Sequence, residues 1–180
     1  EYYRVVRVTA TGTLDADWSF DAGQYGYGGD SGRGLIVRDD GDILLTGRTY
    51  GNGADGDYFG VVRISSTGTR EQDLYYNLGS GDFANSSLAL PDGKLLLVGV
   101  SNGDLTTSRH DEGYRATLAA DGKIIVTGFA NNGVDQDVVV LRLSYDGVLD
   151  ASFGAGGKTS VSLGSNDYGY AVAALSDGKI

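Results

Sequence analysis

The segment Asp-Gly-Lys-Ile-Ile-Val-Thr-Gly at 121–128 returns as Asp-Gly-Lys-Leu-Leu-Leu-Val-Gly at 92–99 and as Asp-Gly-Asp-Ile-Leu-Leu-Thr-Gly at 40–47. Its first four residues return once more at 177–180. A chain that repeats a turn followed by an apolar run must pack copies of one supersecondary unit together, because a single copy cannot bury its own apolar face. A second element, Val-Val-Arg-Val-Thr-Ala-Thr-Gly at 5–12, recurs at 61–68 and, as Val-Leu-Arg-Leu-Ser-Tyr-Asp-Gly, at 140–147. The aspartates Asp40, Asp92, Asp121 and Asp177 are spaced by 52, 29 and 56 residues, and the glycines Gly12, Gly68 and Gly147 by 56 and 79. The unit is therefore about 55 residues long.

Thirty glycines against one proline, with many short Val, Ile, Leu and Tyr runs, predict strands joined by glycine-dependent turns. Within one unit, residues 114–119, or their counterparts 170–175, form a first strand. An Asp-Gly hairpin follows, with both turn residues expected at positive φ. Residues 123–128 form a second strand, 131–136 a polar loop and 137–144 a third strand, which turns at Asp146-Gly147. After Leu-Asp-Ala-Ser-Phe-Gly at 149–154, residues 158–163 form a fourth, outer strand. The unbroken apolar runs Ile124–Val126 and Leu95–Val98 suit strands covered on both faces. The fold class predicted is all-β, a β-propeller of four-stranded blades, incomplete in this sequence. Blade-like units fall at about 1–57, 58–113, 114–169 and 170–180, as a single propeller domain or part of one.

The two elements alternate everywhere except between Asp92 and Asp121, where no arginine-containing strand is found. Roughly 25 residues are missing near 101–113 relative to the repeat. Deleting two strands from a packed sheet would leave unpaired edges, so the expectation is two stretches joined across an absent segment. The sequence starts at Glu1, just before an arginine-containing strand, and stops at Ile180, just after an Asp-Gly turn. Closing a ring takes about four to eight blades, so further blades or self-association are expected.

The combination of Tyr-Ala-Val-Ala at 170–173 with Asp-Gly-Lys-Ile, Asp-x-Asp-Val-Val-Val-Leu-Arg at 135–142, Asp-Gly-x-Leu-Asp-Ala-Ser-Phe-Gly at 146–154 and Gly-Gly-Lys at 156–158 resembles the bacterial delta-60 repeat family. The resemblance is close over 114–180, fair over 1–100 and absent at 101–113. Asp42 stands where the repeat has Lys, and Trp18-Ser19-Phe20-Asp21 replaces the compact Ser-Phe-Gly. The resemblance implies a secreted or surface β-propeller, and it brings no catalytic residues.

A net charge of -10 opposes binding to nucleic acid, whose affinity rests on basic surfaces. No apolar run approaches the roughly 20 residues of a membrane-spanning helix. Without cysteine there is no disulfide and no thiolate metal site, which leaves the compartment open. Asp55/Asp57 and Asp135/Asp137 recur before the third strand, with Arg63 and Arg142 further on. Recurrence favours turn capping or pairing with a strand arginine over calcium or ligand contacts. Asp15, Asp17 and Asp21 beside Trp18 are a candidate calcium set, although they lack the mid-loop glycine and closing glutamate of an EF-hand and read more simply as a solvated acidic turn.

His110, the one histidine, reads as a loop residue, since a zinc site would need carboxylates for its other ligands and a Ser-His-Asp triad would need it rigidly held. Tyr25, Tyr27, Tyr168 and Tyr170, each beside glycine, are the candidate ligand-binding residues. Such rings stack on sugars or anchor protein contacts, or else pack at blade edges. The function expected is a non-enzymatic extracellular or cell-surface module that meets a protein or glycan at one propeller rim, with calcium as the one cofactor its acids could take. The alternatives are a glycan-cleaving propeller enzyme using acids such as Asp111 and Glu112 about 5–10 Å apart, and a purely structural spacer.

Overall fold

The computed structural model describes residues 4–21, 31–50, 57–76, 81–100 and 110–180. Twelve strands and no helix occur among them. The chain divides into two compact units, residues 1–84 with 101–103, and residues 85–100 with 104–180.

In the first unit, β1 (Arg4–Val8) and β2 (Leu14–Asp21) form a two-stranded antiparallel sheet. The strands β3 (Ser31–Val37), β4 (Ile43–Tyr50), β5 (Asp57–Ile64) and β6 (Arg70–Tyr76) form a four-stranded antiparallel sheet in chain order. Phe20, Leu45, Val62 and Ile64 make its buried cluster, with Val5 and Ile43 packed against them. β7 (Phe83–Ala89) begins at the end of this unit and, with β8 (Leu95–Val100), forms a two-stranded sheet. The second unit continues with β9 (Glu112–Leu118), β10 (Ile124–Asn131), β11 (Gln136–Leu143) and β12 (Lys158–Val161), again in chain order. Repeated antiparallel meanders of four strands without helices are the blades of a β-propeller.

Both faces of β10 are covered: Ile124 and Ile125, neighbours that point to opposite sides, are 2% and 1% exposed. That burial is what the unbroken apolar run requires. β10 pairs with β11 without a shift from Ile124↔Leu143 to Asn131↔Gln136, and β4 pairs with β5 in the same way from Ile43↔Ile64 to Tyr50↔Asp57.

The turns differ from the expectation that both Asp and Gly take positive φ. Among the described residues only glycines do, with Gly41, Gly93, Gly122 and Gly178 at 85°, 84°, 81° and 83°. Each turn has three loop residues rather than two. The Ala119 amide donates to the Lys123 carbonyl at 2.8 Å and the Gly122 amide to the Ala119 carbonyl at 2.9 Å, a tight turn followed by a glycine bulge. The aspartate contributes its side chain instead: the carboxylates of Asp40, Asp92, Asp121 and Asp177 accept the amide two residues on at 3.0, 3.1, 3.1 and 3.1 Å. In the second turn class a hydroxyl does this work. Thr9, Ser65 and Ser144 accept the amides of Thr13, Thr69 and Val148 at 3.2, 3.0 and 3.3 Å.

Residues 170–175, expected as a first strand, carry no strand. Their turn is formed, with the Leu175 amide donating to the Lys179 carbonyl at 2.8 Å. Among the described residues no strand pairs with 170–175 to make the ladder. The outer strand β12 ends at Val161 rather than 163, because the Leu163 amide is taken by the Asp167 carboxylate at 2.6 Å. Most of the stretch where the repeat breaks, 101–109, lies outside the described residues.

Candidate functional site

Two of the four singled-out tyrosines meet in the second unit. Phe129 of β10, Tyr114 of β9, Tyr168 and Tyr170 form a closed circuit of rings. The centroids are 5.7 Å apart for Tyr114–Phe129, 5.0 Å for Phe129–Tyr168, 5.9 Å for Tyr168–Tyr170 and 4.8 Å for Tyr170–Tyr114. His110 stacks on Phe129 at 5.7 Å. Phe129 is 5% exposed, whereas Tyr168 and Tyr170 are 37% and 64% exposed, so the circuit has a buried root and an open ledge.

Glycine is what lets this ledge form. The Gly169 amide donates to the Gly128 carbonyl at 3.1 Å, and a Cβ at 169 would lie 2.3 Å from Thr127 Oγ1. Only a residue without a side chain can come this close, and its two neighbours then both reach the rings. The segment is also pinned through Gln136: its carbonyl accepts the Asp167 amide at 2.6 Å, its amide donates to Asn166 Oδ1 at 3.1 Å and its Oε1 accepts the Tyr168 hydroxyl. The first of these ties recurs in the first unit, where the Asp82 amide donates to the Asp57 carbonyl at 3.1 Å. Asp82 and Asp167 occupy the same place, ten residues before a turn aspartate.

Counting back from each turn aspartate shows a rule that the linear sequence hides. The residue seven places before it is Arg33, Asn85, Tyr114 or Tyr170, and the residue nine places before it is Phe83, Glu112 or Tyr168 in the last three copies. The seventh residue of one copy reaches the ninth or seventh of the next. The Arg33 guanidinium lies 4.8 Å from the Phe83 ring centroid, Asn85 Nδ2 donates to Glu112 Oε1 at 2.6 Å, and Tyr114 stacks on Tyr170. These positions hold the same place in every copy, and the contact they make passes from a cation on a ring to a hydrogen bond to a ring stack.

Glu112 has its second oxygen 3.4 Å from His110 Nε2, so the histidine expected in a loop sits against both an acid and a ring. Asp111 accepts the Asn131 amide at 2.8 Å. The Tyr114 hydroxyl is pushed up to about 12, first by burial and then by the Glu112 charge and Tyr170. It is therefore a neutral phenol throughout the working range of pH.

The acids elsewhere are tied into the repeat. Arg7 pairs with Asp15 at 2.8 Å, Arg63 with Glu71 at 3.1 Å and Arg142 with Asp150 at 2.9 Å, always eight residues on. Asp15 of the candidate calcium set is thus an arginine partner. The side chains of Asp17 and Asp21, and all of Tyr25, Tyr27 and Asp55, lie outside the described residues. Among the described residues no three His, Asp or Glu side chains gather as a metal's ligands would.

Asp57 and Asp137 serve the structure, as their recurrence favours, Asp57 by pairing with an arginine of the neighbouring strand and Asp137 by tying down the loop before its strand, and neither does so through Arg63 or Arg142. Asp57 lies 3.5 Å from Arg48, and Asp137 accepts from Asn132 at 2.9 Å. Five or six residues of extended strand span about 17–20 Å, which is out of reach for any side chain.

Asp150 organises a clasp after β11. It accepts the Ser152 amide at 3.1 Å and the Ser152 hydroxyl at 2.6 Å, and it meets Lys123 at 3.1 Å, while the Arg142 guanidinium lies 4.7 Å from the Phe153 ring. The Ser152 hydroxyl first, then Lys123, hold its carboxyl well below the usual carboxylate range. The Leu-Asp-Ala-Ser-Phe-Gly motif is therefore a structural device.

Tyr114, Phe129 and Gln136 were not picked out as site residues from the sequence. The signal for Tyr114 was its offset from the turn, shared with Tyr170. Phe129 and Gln136 carry no comparable mark.

Residues 119–153, which span the turn before β10, both hairpin strands and the clasp up to Phe153, match a family model described as a β-propeller domain of unknown function, DUF5122. The match supports a β-propeller repeat family. No curated protein matches the chain. No helix among the described residues is long and apolar enough to cross a membrane.

Proposed function

We propose that this chain is a non-enzymatic module of a secreted or surface-exposed bacterial propeller of the delta-60 repeat type, and that it binds a protein or glycan at the Tyr168–Tyr170 ledge. The observation that carries this reading is the ring circuit. Four aromatic side chains hold one another around the buried Phe129, so that the tyrosine rings are fixed in place. A ledge fixed in advance loses little side-chain freedom when a ligand arrives. Against an enzyme, Asp111 and Glu112 are each committed to a neighbour, Asp111 to the Asn131 amide and Glu112 to Asn85 and His110. Against a plain spacer, the two ledge tyrosines are held in place yet left open.

The test immobilises the chain and passes over it bacterial wall polysaccharides and secreted bacterial proteins, beside the Tyr168→Ala/Tyr170→Ala double variant. Retention by the native chain alone, with unchanged far-UV circular dichroism, is the expected result. Equal retention by both, or none by either, would overturn the reading. Release of product from a polysaccharide, abolished by Asp111→Asn or Glu112→Gln, would establish the enzyme instead.

A further inference from the structure

Where the repeat breaks, a second strand stands without the third strand that the complete blades give it. β4 and β10 each carry an unshifted ladder to the strand that follows, β5 and β11. Among the described residues β8 pairs with β7 alone, so its outer edge has no ladder. The chain between β8 and β9 is too short to supply one. Val98 and Gly99, near the end of β8, lie against Gly113 at the start of β9: a Cβ at 113 would meet Val98 Cγ1 at 2.6 Å and the Gly99 carbonyl oxygen at 3.6 Å. β8 has six residues and so spans about 20 Å. A strand along its edge must run that far, turn and run back, which residues 101–111 cannot do at about 3.5 Å each.

Two differences from β10 show what this edge lacks. Ile124 and Ile125 are 2% and 1% exposed, whereas Leu95 and Leu96, in the same places, are only partly buried. Lys123 meets Asp121 of its own turn and also Asp150 from beyond the third strand, and its side chain is 35% exposed. Lys94, its counterpart, meets Asp92 of its own turn at 2.7 Å and stays 71% exposed.

We propose that the outer edge of β8 accepts a β-hairpin donated by another protein, whose first strand is apolar with an arginine near its end and an acid eight residues on. The complete blades give the register, with Arg63 opposite Leu44 and Arg142 opposite Ile125. The donor arginine therefore stands opposite Leu96, and its acid reaches Lys94 as Asp150 reaches Lys123. Main-chain bonds along the edge supply affinity, while the apolar side chains and the acid select the donor. A second copy of this chain is a poorer donor, because each copy carries a net charge of -10. The proposal does not rest on the ledge and stands whether or not the ledge binds a ligand.

The probe is a synthetic peptide of residues 4–21, a hairpin with Arg7 and Asp15 eight residues apart, titrated into the whole chain by calorimetry and amide hydrogen exchange. Binding is expected, with exchange slowed within Leu95–Val100 and unchanged in β10, both of whose edges are already paired. The same peptide with Val6→Pro, which loses a ladder donor, should bind at least about tenfold more weakly. Lys94→Glu in the chain should weaken the native peptide by a few fold, a difference that about 1 M salt reduces. Lys94 is largely exposed, so this change leaves the fold intact, which circular dichroism checks.

Equal binding of the two peptides, no binding up to about 1 mM, or protection that falls outside Leu95–Val100 would overturn the proposal. So would slow exchange throughout Leu95–Val100 in the dilute free chain, which would show the edge already covered by its own residues. Protection that grows with chain concentration alone would make a second copy the occupant in place of another protein.

Discussion

The blade β3–β6 and the blade β9–β12 solve the same problem with opposite charges. In the second, Lys123 and Arg142 share Asp150, at 3.1 and 2.9 Å. In the first, the position of Lys123 holds Asp42, and Arg63, the counterpart of Arg142, donates to it through Nε at 2.8 Å while also meeting Glu71 at 3.1 Å. Asp42 also accepts the Ser66 amide at 3.1 Å, and the Arg63 hydrogen bond is the main cause that lowers its carboxyl. What the repeat preserves is a satisfied arginine at the end of the third strand. Its direct partners are acids in both blades, and what varies is the residue at the Lys123 position, a cation beside the shared acid in one blade and a second acid in the other. The first-strand positions seven and nine before the turn follow the looser rule that a contact to the next copy is kept and its chemistry changes.

The largest expected difference between the blades lies in the third-strand ends, Ile64 and Leu143, which pair with Ile43 and Ile124. Ile64 is 0% exposed, and Leu143 is only partly buried. Ile64→Ala should cost about 2–5 kcal/mol, and Leu143→Ala clearly less, in chemical denaturation followed by circular dichroism. Equal losses would show that the two blades are buried alike and would break the comparison.

A smaller effect should be the same in both blades. A Cβ at Gly47 would lie 1.8 Å from the Ser31 carbonyl oxygen, and one at Gly128 would lie 1.8 Å from that of Glu112. Each glycine sits where the first and second strands shift register. Gly47→Ala and Gly128→Ala should each destabilise by roughly 1–3 kcal/mol as the backbone gives way. Gly128→Ala should also disturb the ledge, since Gly128 accepts the Gly169 amide, and so change the tyrosine spectrum, which Gly47→Ala should not.

How much of this was legible depends on whether the cause is local. Strands β9 to β12 follow from apolar runs and glycine turns, which act within a few residues of themselves. The strand expected at 170–175 fails because a ladder needs a partner that its own residues do not provide. Tyr168 and Tyr170 stood out beside glycine, but the stack of Tyr114 on Tyr170 joins two copies 56 residues apart. Only aligning the copies on their turns makes that pairing visible. The arginine clasp is hidden for a similar reason: the acid that each third-strand arginine meets lies across a hairpin, eight residues on, while Asp57 and Asp137 on the same strands are tied to other partners.

Exchanging the charges tests the comparison more gently. Lys123→Asp would place a second carboxylate beside Asp150, and Asp42→Lys would set a cation against Arg63. Each should lower the melting temperature, Asp42→Lys by more than Lys123→Asp, because Asp42 is 8% exposed and holds both Arg63 and the Ser66 amide, whereas the Lys123 pair is open to solvent. If Asp42→Lys were instead stabilising, Glu71 alone would suffice for Arg63, and the acid at position 42 would not be part of what holds the arginine.

The smallest effect is one of pH. Asp150 is held well below the usual range and Asp92 is lowered to about 2, the latter first by Lys94 and then by Tyr145. Carboxyls that are more acidic folded than unfolded stabilise the fold fully above the unfolded value of about 3.9, and this contribution is lost as pH falls through the folded value. Stability should therefore be nearly flat from about pH 7 to 5 and fall between about pH 4 and 2. Asp150→Asn should lower the plateau and flatten the acid limb, since a group that cannot titrate contributes no slope there. An acid limb unchanged in Asp150→Asn would mean that the clasp carboxylate is no more acidic in the folded blade than in the unfolded chain, and the second blade would then rest on its Arg142–Phe153 stacking rather than on charge.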